Sequence, residues 1–131
     1  MTEARPVTPP VRLTLSGIVL DSGNARELAG FYQRLLGWTA EQDEPDWVKL
    51  SSPDGGAGLS FQTELNYVRP TWPSDPSRQQ MMAHLDIRVD DLDAAGAHAV
   101  AAGAVLADYQ PQEHVRVYLD PAGHPFCLFL D

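Results

Sequence analysis

The feature that most limits the fold is an order of elements that occurs twice. In the first half, Leu28, Phe31, Tyr32, Leu35 and Leu36 recur at helical spacing and the run stops at Gly37. In the second half, Asp90-Asp91-Leu92-Asp93 opens a helix with carboxylates at its positive end, and that helix stops at Gly103. The two stops are 66 residues apart, and the turn glycines Gly55 and Gly123 are 68 apart. Pro53-Asp54-Gly55 is answered by Pro121-Ala122-Gly123. Matching stops and turns at nearly one period point to an internal duplication.

The segments around the two helices complete the repeat. Val11 to Leu20 reads as a strand, and Ser22-Gly23-Asn24 supplies a turn and a helix cap. Trp38 to Asp43, Trp47 to Ser51 and Gly58 to Thr63 read as strands behind the first helix. Ala83 to Val89, Val105 to Tyr109, His114 to Leu119 and Phe126 to Leu130 read as their counterparts. Each half is therefore βαβββ, too small to cover both faces of its own sheet, so the pairing of the halves is the expected core. Glu64 to Gln79 carries Pro70, Pro73 and Pro76 among polar residues and is a connection. The expected organisation is one α+β domain over 12–131, with repeats 12–63 and 83–131 joined by 64–82. Thr8-Pro9-Pro10 marks residues 1–11 as a flexible leader.

Composition narrows the partners. With 9 Lys+Arg against 18 Asp+Glu, the formal net charge is −9. Such a surface suits neither the phosphate backbone of nucleic acid nor an anionic membrane. The single cysteine, Cys127, excludes an intrachain disulfide framework and a zinc cage built from cysteines. No apolar run is long enough to span a bilayer, and the N-terminus lacks the basic start and apolar run of a secretory signal, so a cytoplasmic location is expected.

Two motifs carry a resemblance. Phe31-Tyr32, three residues, then Leu36-Gly37-Trp38 resembles the FY…LLGW motif of the vicinal oxygen chelate superfamily. Asp120-Pro121-Ala122-Gly123-His124-Pro125-Phe126 resembles its DP-x-G hairpin. The superfamily includes glyoxalase I, extradiol dioxygenases, fosfomycin-inactivating transferases and bleomycin-resistance proteins. The resemblance runs from about Leu13 to Leu130 and implies paired βαβββ modules, a glyoxalase-like mixed sheet curled around a concave site, and commonly a homodimer. Because one such scaffold hosts many chemistries, it specifies the fold better than the function.

The resemblance also implies where a divalent metal would be held, by one side chain from the first and last strand of each half. Those positions are Gly17, Gln62 (or Ser60 after a slip of register), His84 and Cys127. Glycine offers no ligand atom, and a thiol in an apolar strand resists ionisation. A catalytic divalent site needs about three protein ligands and an open position, so metal-dependent glyoxalase chemistry is disfavoured and no metal or other cofactor is expected.

The remaining candidates each have a structural role open to them as well. Alternation puts His84, Asp86 and Arg88 on one face of their strand, turned toward the concavity, unless Asp86 and Arg88 simply pair and His84 is a structural hydrogen-bonding group. Cys127 as a nucleophile has no evident activating partner. Trp47, Phe61, Tyr67 and Trp72 are candidate ligand-stacking aromatics, with Tyr67 and Trp72 assigned to a pocket or a dimer interface. Trp38 and Phe31 read as core. His124 reads as an exposed turn residue, His98 as surface or inter-element packing, and His114 as a rim residue. Glu41, Asp43, Glu44 and Asp46 read as a solvated sheet edge. The expected function is metal-free binding or sequestration of an aromatic or amphipathic small molecule, such as an antibiotic, by a homodimer. The ligand contacts would come from Gln62, His84, Arg88 and Cys127 with the aromatics. The alternative is an enzyme with an altered metal set, or one using His84 as general acid/base.

Overall fold

The computed structural model describes residues 11–131, and apart from Val11 the expected leader lies outside the described residues. The element order is β1 (Gly17–Ser22), α1 (Ala25–Leu36), β2 (Thr39–Glu44), β3 (Trp47–Ser51) and β4 (Gly58–Thr63), then β5 (Leu85–Arg88), α2 (Leu92–Ala102), β6 (Val105–Leu106), β7 (Val115–Leu119) and β8 (Pro125–Phe129). The strands form two four-stranded sheets ordered β1-β4-β3-β2 and β5-β8-β7-β6. In each, the first strand runs parallel to the last and the other pairs are antiparallel. The fold is α+β, built from two βαβββ modules, and the sheets do not close into a barrel.

Local chemistry fixes the helix ends. The Asn24 side chain accepts from the Glu27 amide and caps α1, which ends at Gly37 with φ 72°. The Asp91 carboxylate accepts from the Asp93 and Ala94 amides and caps α2. His114 falls just ahead of β7, and three other strands are shorter than the apolar pattern suggests by three residues or more. Val11 to Ser16 stay outside β1 and exposed, because the ladder starts where the partner strand does, at Gly17 opposite Gly58. His84 stands just ahead of β5, whose pairing begins with Leu85 opposite Phe126. β6 stops after Leu106: Ala107 still donates to Val117 O, and the Gln110 amide then takes over, bonding Val117 N and O at 2.8 Å each.

The core sits around α1. Phe31 and Tyr32 are fully buried; Tyr32 stacks on Phe61 at 5.5 Å, and both rings reach Phe126 of the second module, at 5.9 and 6.3 Å. The first helix thus packs on its own sheet and also on the partner module. Trp38 is partly buried against this cluster. No helix among the described residues is long and apolar enough to cross a membrane.

Candidate ligand-binding site

The turn between β7 and β8 is wrapped around a buried carboxylate. The Asp120 side chain is 0% exposed. Its Oδ1 accepts from the Ala122 and His124 amides at 2.9 Å each, and Gly123, at φ 89°, closes the turn. Tyr32 Oη donates to Oδ2 at 2.8 Å across 88 residues of chain, and His124 Nδ1 approaches Oδ2 at 2.8 Å. Burying a carboxylate costs several kcal/mol unless its lone pairs are met, and here the hydroxyl, both amides and the imidazole meet them. Burial, and then the Asp120 charge, hold the Tyr32 phenol well above its usual range. His124 is therefore no exposed turn residue: its side chain is 17% exposed and held by Asp120. The sequence signal for this was an Asp opening a Pro-Ala-Gly turn, with a His four residues on.

The connection between the modules is fastened to the same turn. Tyr67 Oη donates to Ala122 O at 2.8 Å and lies 3.3 Å from His124 Nε2. Arg69 donates to Pro121 O at 3.1 Å and packs its stem over Gly123, where a Cβ would collide with it. Desolvation, reinforced by Asp120, pushes the Tyr67 phenol up to about 12. Under this strap a crevice of about 260 Å³ runs between β1 and the residues leading into β5, walled by Val19, Leu20, Val68 and Met82 with Asp21, Tyr67, Gln79, Gln80 and His124 as its polar residues. An apolar cavity of about 60 Å³ shares Leu20, Ala83 and His124 with it and is lined also by Ile18, Tyr32 and His84. A wider depression of about 410 Å³ opens beside the start of α1. Two of its polar groups are engaged within the chain: Asn24 caps the helix and Arg69 bonds Pro121.

The residues singled out from sequence fall in different places. Tyr67 borders the crevice and His84 the small cavity. His84 Nε2 lies 3.0 Å from Asp86 Oδ1, so Asp86 pairs with His84, while Arg88 pairs with Asp131 at 3.0 Å. Cys127 is opposite Asp86 in the β5–β8 ladder, and burial, then the Asp86 charge, push its thiol up. Gln62 stands on the other sheet and donates to Asp21. Trp47 donates from its indole to Gln42 on the neighbouring strand β2. Phe61 has no exposed surface and faces α1, so it packs the core and touches neither cavity. Trp72 donates to Tyr109 O and leans on that ring, fixing the connection to the second module. His98 reaches Leu35 O and ties α2 to α1. In the acidic hairpin, Asp43 pairs with Arg26, and Glu41 with Lys49 and Ser51.

The four metal-ligand positions do not form one site. A Cβ at Gly17 would stand 2.9 Å from Gly58 O, so the tight β1–β4 contact leaves no room there for a ligating side chain. Gln62, on β4, donates to Asp21, and His84, just ahead of β5, pairs with Asp86, so each is engaged within its own module. His84, Asp86 and Cys127 do bring a nitrogen, an oxygen and a sulfur within 4.8 Å of one another, but Cys127 would first have to lose a proton that its surroundings retain.

Two βαβββ modules strapped together by a connecting segment, with a crevice beneath it, define a scaffold protein of the glyoxalase type. The glyoxalase-like domain model matches residues 17–129, and the chain belongs to that family. Solved structures agree in fold. A glyoxalase/bleomycin resistance protein/dioxygenase family enzyme from Burkholderia phytofirmans PsJN is 20% identical, covering 90% of this chain and 98% of its own, with a TM-score of 0.68. A glyoxalase/dioxygenase from Nostoc punctiforme is 21% identical, covering 98% and 99%, with a TM-score of 0.64. A search of curated protein sequences finds no match.

Proposed function

We propose that the protein binds a small aromatic or amphipathic molecule without a metal, in the crevice beneath the 64–82 connection. The observation that carries this reading is the crevice of about 260 Å³, where an apolar wall of Val19, Leu20, Val68 and Met82 faces polar groups that include Tyr67 and His124. Sequestration of an antibiotic-like compound by a homodimer fits a site that needs no catalytic constellation, and a bleomycin-resistance protein is among the names attached to the Burkholderia structure. Val105 and Leu106, 59% and 49% exposed, supply apolar surface for a second copy. Native mass spectrometry of freshly isolated protein tests the three parts together. A dimer mass with a co-purified organic compound and no metal is the expected result. Stoichiometric divalent metal would overturn the metal-free reading and favour an enzyme using His84, Asp86 and Cys127, which the short spacing of their donor atoms supports as the second reading.

A further inference from the structure

We infer that His124 is the hydrogen-bond-accepting head of this crevice, and that the ligand is a neutral ring compound carrying a weakly acidic hydroxyl. The inference rests on the crevice being the ligand site. His124 Nδ1 lies 2.8 and 3.0 Å from the two oxygens of a carboxylate that can only accept, so Nδ1 carries the proton and neutral imidazole keeps its lone pair on Nε2. Facing Nε2 is Tyr67 Oη at 3.3 Å, but its one proton goes to Ala122 O at the shorter 2.8 Å. In that neutral form two lone pairs face each other beside the crevice, and the pair has room for one more proton. A hydroxyl arriving in the crevice supplies it, donating to Nε2 while Tyr67 Oη stands ready as a second acceptor.

The surroundings select the rest of the ligand. Val19, Leu20, Val68 and Met82 favour an apolar ring, and the small cavity past His124 admits a methyl-sized group against Ile18 and Tyr32. The Asp21 carboxylate at the crevice wall and the −9 net charge disfavour a ligand that arrives as an anion. A phenol or enol meets all of these conditions. Where its hydroxyl is acidic enough, the O–H bond breaks and an N–H bond forms at Nε2, with the imidazolium held by Asp120 and the oxyanion left beside it; nothing else is consumed. Asp120 acts here as a positioning residue, through the tautomer it imposes.

The test compares p-cresol, its methyl ether and toluene on protein labelled with nitrogen-15 at histidine, by calorimetry and by the ring-nitrogen resonances. Wild type is expected to bind p-cresol about tenfold more tightly than the ether, the worth of one hydrogen bond, and p-cresol is expected to move the His124 Nε2 resonance. His124→Asn keeps a side-chain N–H for Asp120 but deletes Nε2. It is expected to fold, to bind all three probes, and to lose the preference for p-cresol. Equal binding of p-cresol and ether by wild type, or a preference surviving in His124→Asn, overturns the inference and leaves the crevice reading intact. Failure of all three probes to bind wild type overturns both.

Discussion

At the scale of single residues, Tyr32 does two jobs with one side chain. Its ring stacks on Phe61 and its hydroxyl donates to the buried Asp120, so one residue of α1 joins both sheets. Removing only the hydroxyl leaves the packing and takes a donor from a buried carboxylate. Tyr32→Phe is therefore expected to cost about 1.5–3 kcal/mol in urea unfolding, with the slope of the transition unchanged. The lone cysteine gives a second prediction. Because burial and then Asp86 hold the Cys127 thiol up, alkylation by iodoacetamide near neutral pH should be slower than in the urea-unfolded chain. Its rate–pH midpoint should lie above that of the unfolded chain, and Asp86→Asn should move it down; a midpoint that ignores Asp86 would count against the assignment. From sequence, Cys127 stands only where the resemblance implies a metal ligand. Its pairing with Asp86 is not legible there, since that depends on which residues of β5 and β8 stand opposite each other.

At the scale of elements, most boundaries follow from local chemistry. Asn24 and Asp91 cap, Gly37 and Gly103 stop, and β3 and β4 run over the residues their apolar alternation marks. The boundaries depart from the apolar pattern where the partner strand decides. Val11 to Ser16 are apolar enough for a strand, but β4 offers no residue to pair with them before Gly58. Tyr109 falls outside β6 because the Gln110 side chain has replaced the ladder next to Val117. The α2 helix supplies a prediction about close approach. Gly96 is buried against Tyr118, and a Cβ there would collide with the tyrosine hydroxyl. Alanine in a helix interior is otherwise worth about 1 kcal/mol over glycine. Gly96→Ala should nevertheless lower stability, since crowding a packed site costs about 1–3 kcal/mol. In a Tyr118→Phe background most of that loss should be recovered, which a double-mutant cycle by thermal unfolding checks.

At the scale of the whole molecule, the modules share little backbone pairing and are held by side chains: the Phe31–Tyr32–Phe126 cluster, the Tyr32–Asp120 bond, and the strap that Tyr67 and Arg69 fasten to the 120–124 turn. That construction predicts an alkaline weakness. An unfolded tyrosine ionises near 10, whereas the folded Tyr67 holds its proton to about 12. Between those values the unfolded chain releases the proton first, so the stability that Tyr67 contributes is complete below about pH 10 and is lost as pH rises toward 12. Tyr67→Phe should flatten this part of the stability–pH curve, measured by urea unfolding at fixed salt; an unchanged slope would show that the phenol is not a tie between the modules. The sequence by itself determined the two-module plan, because helix caps, turn glycines and apolar alternation act over a few residues and repeat at nearly one period. Tertiary structure alone decided the site. Asp120 and Tyr32 are 88 residues apart and His124 and Tyr67 are 57 apart, and only the packing of one module against the other brings their polar atoms together at the edge of a crevice.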